Sequence, residues 1–522
     1  MDTLEIYKEI YRKKDIFGLK NQETLLKILK ENTETEFGEK YGFADTDSEE
    51  LYRTRVPVST YRDYDAYIER MRRGEINLTT AYEIYSMLET SGSTDKEKHI
   101  PITCESLGRY GNVMDRYLQE HVREHGGKRL FVSFLQTDLK KDTGIQSHML
   151  FTASYYRYLY ENGLVDMDEF AGGAELNFFT DPCDYMYIKL YLAFATEDIT
   201  SFESVYLYDL LIFFKYFEDN YEKVLGDMEK GHISDDIGIP DNVRMRLESL
   251  KVQPERIDTI RRECRKGFEN IIIRLWKRAG VVSGIGSKAF KVEEISLGKY
   301  RGDLPVWHYI YAASECVIAV PVGTDTYDYM LIPGSAYYEF MKEDGDGKKT
   351  CTVDELEAGE SYELIITTFS GLYRYAMGDI INVADFCGSI PIVRFKYRRN
   401  LIMNIAGEKL DAGILDKAVR DWAAAERLSV WQYFFYEDYT STPACYHGVI
   451  AAGDRHEAYD TARYEGSFDR MLSDLNRDYA ELRGLGSIMK VRLEFVDKEH
   501  FMNMRSGYDG QSGQPKPQHI RR

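Results

Sequence analysis

Four short segments hold the residues best suited to chemistry. In Thr90-Ser91-Gly92-Ser93-Thr94-Asp95-Lys96-Glu97-Lys98-His99-Ile100-Pro101, small hydroxylated residues surround a glycine and lysines follow. Backbone N–H groups in such a loop can face an anion, the hydroxyls add donors and the lysines add charge. That suits a polyphosphate; the alternative is a Ser/Thr-rich surface hairpin. Tyr311-Ala312-Ala313-Ser314-Glu315 ends an apolar strand. A carboxylate there can hold Mg2+ that bridges phosphate oxygens, or it can simply be a solvated strand end. In Gly371-Leu372-Tyr373-Arg374-Tyr375-Ala376-Met377-Gly378-Asp379, an Asp after a glycine follows an aromatic strand. Such an Asp can accept hydrogen bonds from two vicinal ribose hydroxyls, or it can sit in a Gly-Asp turn. Arg398-Arg399-Asn400 through Gly407-Glu408-Lys409-Leu410-Asp411 also reads as a charged turn between domains.

Two further patterns match motifs with weaker support. His121-Val122-Arg123-Glu124-His125 fits HxxEH, which on a helix puts two histidines on one face around a carboxylate. It has no evident third ligand, so the reading favoured is a solvated helix end running into Gly126-Gly127. Gly284-Ile285-Gly286-Ser287-Lys288-Ala289 fits GxGxxA after the strand Val281-Val282, but no convincing helix follows before Gly298.

These residues need elements to place them. Apolar spacing predicts helices over 3–31, 105–125, 185–230 and 255–279. A strand–turn–strand unit spans 84–103, and 129–136 reads as one strand. From 281 to 397 the texture is β-rich, with a hairpin tip at 343–350. A helix (411–426), two strands (429–436, 445–452), a helix (466–483) and a strand (488–496) follow, and the tail 505–522 is rich in Gly, Pro and Gln. The expected architecture is α/β: a large body of β-sheets flanked by helices over 1–397, then a small α+β C-terminal domain over 398–522, with the hinge at Arg398–Asn400.

Composition narrows the function. The chain has 522 residues, 43% hydrophobic and 30% charged, which excludes wholesale disorder. A net charge of −20 disfavours nucleic-acid and anionic-membrane binding. No apolar run approaches the ~20 residues of a membrane helix. The acidic MDTLEIYKEI start is unlike a signal peptide, which points to the cytoplasm. Seven cysteines without a CxxC pair suggest neither a disulfide framework nor a zinc finger.

The four segments, in this order and spacing, resemble the adenylate-forming superfamily of acyl-CoA synthetases, peptide-synthetase adenylation domains and luciferase. More closely, the chain is similar to the Gretchen Hagen family of acyl acid amido synthetases. Members typically read TSGTTGKPKYIP where this chain reads TSGSTDKEKHIP. The likeness extends upstream through Phe37-Gly38, Val56-Pro57-Val58 and Tyr67-Ile68, and downstream through Tyr329 to Phe340, GLYRYAMGD and Leu475-Asn476 to Arg483. Departures are Asp95 and Glu97 in the loop, Tyr311-Ala312 for the more usual Tyr-Gly, and a tail that only loosely matches the family's terminal pattern around Lys516.

The resemblance implies ATP and Mg2+ as cofactors and a carboxylic acid as the acyl donor. Ser91, Gly92, Ser93, Thr94 and Lys98 would face phosphates and Glu315 would hold Mg2+. Gly286, Tyr311, Ala312 and Ser314 would line the AMP site, Asp379 would hold ribose and Arg399 would join them from the hinge. Arg116 would face the acyl carboxylate and Lys516 would be a catalytic lysine. In the family the C-terminal domain swings between adenylation and acyl transfer to an amino-acid amine. An acyl-CoA ligase, a non-catalytic nucleotide-binding relative and an HxxEH zinc hydrolase are the competing readings.

Overall fold

The computed structural model describes residues 16–90, 98–111, 116–136, 151–179, 183–286, 291–343, 349–398, 412–452, 459–497, 500–501 and 520–521, with Met403, Ile405, Glu408 and Leu410. Its architecture is mixed α/β, built on three separate sheets with their own cores.

The largest is an eight-stranded antiparallel sheet. Its strands, in spatial order, are Thr350–Cys351, Tyr337–Lys342, Ser361–Thr367, Tyr375–Cys387, Ile390–Arg398, Tyr329–Leu331, Cys316–Pro321 and Tyr311–Ala313. Strands such as Cys316–Pro321 are buried throughout and read as continuous apolar runs. The helix Ile16–Glu31 covers part of this sheet with Phe17, Leu25, Ile28 and Leu29. Its Asn21 amide both donates to the Tyr338 carbonyl (2.9 Å) and accepts from the Tyr338 N–H (2.8 Å). Beside it stands the hairpin Ile84–Thr90 and Lys98–Thr103, antiparallel as expected, whose connecting residues 91–97 lie outside the described residues.

A four-stranded parallel sheet orders Lys128–Phe131, Ile199–Tyr206, Val281–Ile285 and Val306–His308. Helices Tyr185–Ala195, Leu207–Lys230, Pro254–Cys264 and Lys291–Arg301 pack into its core. Three sequence expectations fail here. The span 185–230 is two helices separated by the strand Ile199–Tyr206, not one helical stretch. ITSFESVY hides its strand because Ser201 and Glu203 are polar yet fully buried: Glu203 is held by Arg129 (2.7 and 2.9 Å), itself 0% exposed. A buried ion pair lets a central strand carry charge that hydropathy reads as surface. Second, a helix (Lys291–Arg301) does follow the GxGxxA segment and runs through Gly298. The expected strand 129–136 is likewise broken into Lys128–Phe131 and Leu135–Gln136.

The third sheet orders Arg492–Val496, Cys445–Ala452, Val430–Asp438 and Ile520–Arg521. Helices Ala412–Glu426, Thr461–Leu475 and Arg477–Gly484 pack on one face through Trp422, Tyr433, Phe435, Phe468 and Leu472. The expected helix 466–483 is two, because the Asn476 side chain caps a new start by accepting from the Tyr479 N–H. The opposite face carries Trp431, Phe434 and Phe501, and meets Ile212 of the Leu207–Lys230 helix. Lys215 of that helix lies over the Trp431 ring, 4.8 Å from its centroid.

Among the described residues no helix is long and apolar enough to cross a membrane.

One buried charge makes the second core sensitive to pH. Lys189 is 0% exposed and, among the described residues, donates to neutral oxygens alone, the Leu176 carbonyl (3.1 Å) and the Asn177 amide oxygen (2.6 Å). Burial pushes its amine down to about 7. Between pH ~7 and ~10.4 the unfolded chain binds this proton and the folded chain does not, so stability rises with pH across that window. Below pH ~7 both states are protonated and the full penalty stands. Urea titrations of Lys189→Met are expected to lose a positive slope of about 1.4 kcal/mol per pH unit between pH 8 and 10. An unchanged slope would mean that the amine titrates normally.

Candidate functional site

Asp379 receives its position from a break in strand pairing. Ala376 pairs with Ile365 and Ile380 with Glu363, so Met377 to Asp379 bulge from the ladder. Gly378 sits in the bulge at φ +77°, a backbone conformation glycine adopts without strain. On the other edge Asp379 lies directly across from Arg398. The carboxylate is 2% exposed and is held from two sides: the Tyr311 hydroxyl donates to Oδ2 (2.7 Å) and Arg398 Nε donates to Oδ1 (2.5 Å). The Asp379 charge holds the Arg398 guanidinium above its ordinary range. Burial and the same carboxylate keep the Tyr311 phenol protonated well above 10. Asp379 is therefore a strand residue in a bulge rather than part of a turn.

Glu315 is the second residue of the tight turn joining Tyr311–Ala313 to Cys316–Pro321, not a strand end open to water. Although in a turn, it is only 8% exposed, and the Tyr375 hydroxyl donates to its Oε1 (3.3 Å). Tyr375 stands at the start of the strand that carries Asp379. One short hairpin, Tyr311 to Pro321, and one strand entry, Tyr375 to Asp379, thus bring the second and third sequence motifs together.

The entry is clamped by a buried ion pair. Arg374, 5% exposed, holds a left-handed φ of +45°. Its guanidinium grips Glu339 through Nε (3.0 Å) and NH2 (2.9 Å), and donates to the Thr350 hydroxyl and to the Arg53 and Val56 carbonyls, each at 2.8 Å. Such a conformation costs of order 1–3 kcal/mol and persists only when its surroundings hold it.

The first motif arrives from the hairpin. Lys98 opens the strand Lys98–Thr103, and its ammonium lies over the Tyr61 ring, 5.3 Å from the centroid. The His99 N–H donates to the Tyr61 hydroxyl (2.9 Å). At the far end of the same strand, Thr103 N–H donates to Ser370 Oγ (3.3 Å), next to the glycine that begins the third motif. Tyr61 lies within electrostatic reach of Glu315 and Tyr375, so Lys98 joins Glu315, Tyr311 and Asp379 in one region.

Gly286 closes the strand side. A Cβ there would lie 2.7 Å from His308 Nδ1, so the strand end can approach the imidazole only with glycine. His308 is fully buried, stacks on Tyr327 (4.3 Å) and is kept neutral by burial. Ala312, in the strand before the Ser314–Glu315 turn, and Ser314, its first residue, are both partly exposed. Ser91, Gly92, Ser93, Thr94, Asp95, Glu97, Arg399 and Lys516 lie outside the described residues. Arg116 begins the helix Arg116–His125, with its side chain likewise outside them. In that helix His121 and His125 stack at 4.3 Å. Among the described residues no group of three or more His, Cys, Asp or Glu could hold a metal ion.

Sequence reasoning missed Tyr61 and named Tyr375 and Arg398 only as members of the third and fourth motifs, with no role in the site. Arg398 was within reach, since it is one residue from Arg399 and the strand register alone puts it opposite Asp379.

Residues 7–306 match the GH3 family N-terminal domain and residues 329–398 match the GH3 family central domain. The jasmonoyl–L-amino acid synthetase GH3.5 of Oryza sativa subsp. japonica is 27% identical over 521 residues, 92% of this chain and 89% of that protein. The indole-3-acetic acid-amido synthetase GH3.8 of Oryza sativa subsp. indica is 27% identical over 430 residues, 78% of this chain and 70% of that protein. Among solved structures, the GH3.15 acyl acid amido synthetase superposes with a TM-score of 0.85 at 23% identity, covering 97% of this chain and 91% of that one. A 2-hydroxyisobutyryl-CoA ligase superposes at 0.52 and 10% identity, covering 95% and 87%.

Among the described residues, removing Arg398 should leave Asp379 buried with the Tyr311 hydroxyl as its remaining side-chain donor. Because the arginine head is about a third exposed, the cost is expected near 2 kcal/mol rather than that of a fully buried pair. Urea denaturation of Arg398→Met checks this; an unchanged midpoint would mean that the pair contributes nothing to stability.

Proposed function

The chain belongs to the GH3 family, and on that premise we propose that it is an ATP-dependent ligase that adenylates a carboxylic acid and transfers the acyl group to the amine of an amino acid. The observation that carries the reading is that Lys98, Glu315 and Asp379, from three distant stretches of sequence, are brought together through the side chains of Tyr61, Tyr375 and Tyr311.

A carboxylate is a poor acyl donor. In the first step its oxygen attacks the α-phosphorus of ATP, the bond to the bridging oxygen breaks, and pyrophosphate leaves. Two anions must approach each other, so the barrier is largely electrostatic. Lys98 supplies positive charge at the foot of the loop, and Ser91, Gly92, Ser93 and Thr94 supply donors. Asp379 serves the ribose: each of its oxygens already accepts one hydrogen bond, and the remaining lone pairs suit two vicinal hydroxyls. Arg398 and Tyr311 hold that carboxylate in place. Gly286, Ala312 and Ser314 line the remainder of the nucleotide site, and Arg399 and Arg116 would meet nucleotide and acyl carboxylate.

Glu315 fits a magnesium ion. It is a nearly buried carboxylate with one donor on one oxygen, and this metal commonly takes one or two protein carboxylates, with phosphates and waters completing its shell. The ion would supply Lewis-acid charge on the phosphates.

In the second step the amine attacks the acyl carbon and AMP leaves. We place the boundary of the moving C-terminal domain at 398, so that rotation about Arg398–Asn400 exchanges the groups facing the adenylate and brings Lys516 into play. The proposed setting is cytoplasmic.

ATP–pyrophosphate exchange against aryl, indolyl and aliphatic acids tests the first step. Exchange is expected with one acid class and to fall at least ~100-fold in Asp379→Ala. Adding amino acids or CoA to that acid separates amide from thioester formation. Failure of every acid to support exchange would overturn the reading.

A further inference from the structure

Tyr61 links two parts of the site that sequence leaves unconnected. It opens the short turn Tyr61–Asp63, which is closed by Asp63: the Thr60 N–H (2.7 Å) and hydroxyl (3.0 Å) both donate to the same carboxylate oxygen. Two residues earlier, Ser59 N–H donates to the Arg374 carbonyl and Ala376 N–H donates to the Ser59 carbonyl, each at 2.9 Å. The backbone leading into Tyr61 is thereby tied to the clamped entry that carries Tyr375. The ring is tied from the other side by the His99 N–H on its hydroxyl. With both ends fixed, the ring face is a defined surface, and the Lys98 ammonium rests on it. Among the described residues no carboxylate pairs with Lys98.

That choice of partner has a physical consequence. A lysine paired with a carboxylate must give up that pair, and its charge is largely neutralised until it does. An aromatic face attracts the ammonium through its quadrupole while leaving the net charge intact, at about 0.5–2 kcal/mol. The lysine is then ordered without being neutralised.

We infer that Tyr61 is a positioning residue for Lys98, its ring face holding the ammonium ready for the phosphates of the nucleotide. This rests on the adenylating function proposed above. The ring touches the lysine rather than the reacting atoms, so it acts through Lys98.

Replacing Tyr61 by phenylalanine and its mono-, di- and trifluorinated analogues drains the ring face of negative charge and hardly changes its shape. Affinity for ATP with Mg2+, measured calorimetrically on the full chain, is expected to weaken stepwise with fluorination. The whole series should span about 2- to 30-fold. Thermal midpoints should stay level across it, and the dependence should vanish in a Lys98→Met background. A flat series, in a wild-type chain that binds ATP and catalyses exchange, would overturn the role of Tyr61 and leave the function standing. A series as steep in Lys98→Met as in wild type would overturn it equally. A wild-type chain without nucleotide binding or exchange would overturn the function, and this inference with it.

Discussion

The Arg374 guanidinium is the contact on which the geometry of the site depends. It joins three regions that share no continuous sequence: the N-terminal segment through the Arg53 and Val56 carbonyls, the sheet through Glu339 and Thr350, and the strand entry through its own backbone. A guanidinium has five donors in a rigid plane, so one side chain can satisfy several acceptors from different directions. Lysine could not reproduce that pattern. The left-handed backbone at Arg374 turns the chain so that Tyr373 enters the core, where it stacks on Phe37 at 4.6 Å, while Tyr375 reaches Glu315. Asp379 follows four residues later on the same strand.

Around this clamp the site uses phenols as its electrostatic fittings. Tyr311 donates to Asp379, Tyr375 donates to Glu315, and Tyr61 lies under Lys98. Burial keeps all three phenols protonated. A neutral phenol can orient a carboxylate or an ammonium without cancelling its charge, which matters where a polyanion is to be bound. The chain as a whole carries a charge of −20, so the proposed nucleotide would depend on cations placed locally rather than on a positive surface. The abundance of tyrosine, 41 in all, has at least this local explanation.

Much of this was legible in the sequence, for identifiable reasons. The apolar runs Cys316–Pro321 and Ser361–Thr367 announce buried strands, and the hairpin flanking 91–97 follows from strand, polar turn, strand. What stayed hidden depended on partners far along the chain. Ile199–Tyr206 reads as helix because its charge is answered by Arg129, 74 residues from Glu203. Glu315 looks solvated because a turn residue usually is, yet it is buried and accepts from Tyr375, 60 residues away. The Asp379 bulge is invisible without the register of both neighbouring strands. Single arginines such as Arg374 carry no local mark of being a clamp.

The contact between the third sheet and the Leu207–Lys230 helix gives the chain an internal optical probe. Of the four tryptophans, Trp276 and Trp307 are buried in the cores of the first two sheets and Trp422 in the core of the third. Trp431 packs across the junction, against Ile212 and beneath Lys215 of the Leu207–Lys230 helix. Separation of the third sheet from that helix would wet one indole and remove its overlying charge, while the other three kept their surroundings. Indole emission moves to longer wavelength as water replaces an apolar environment. The unlabelled chain therefore carries a fluorescence signal that would report any separation at this junction.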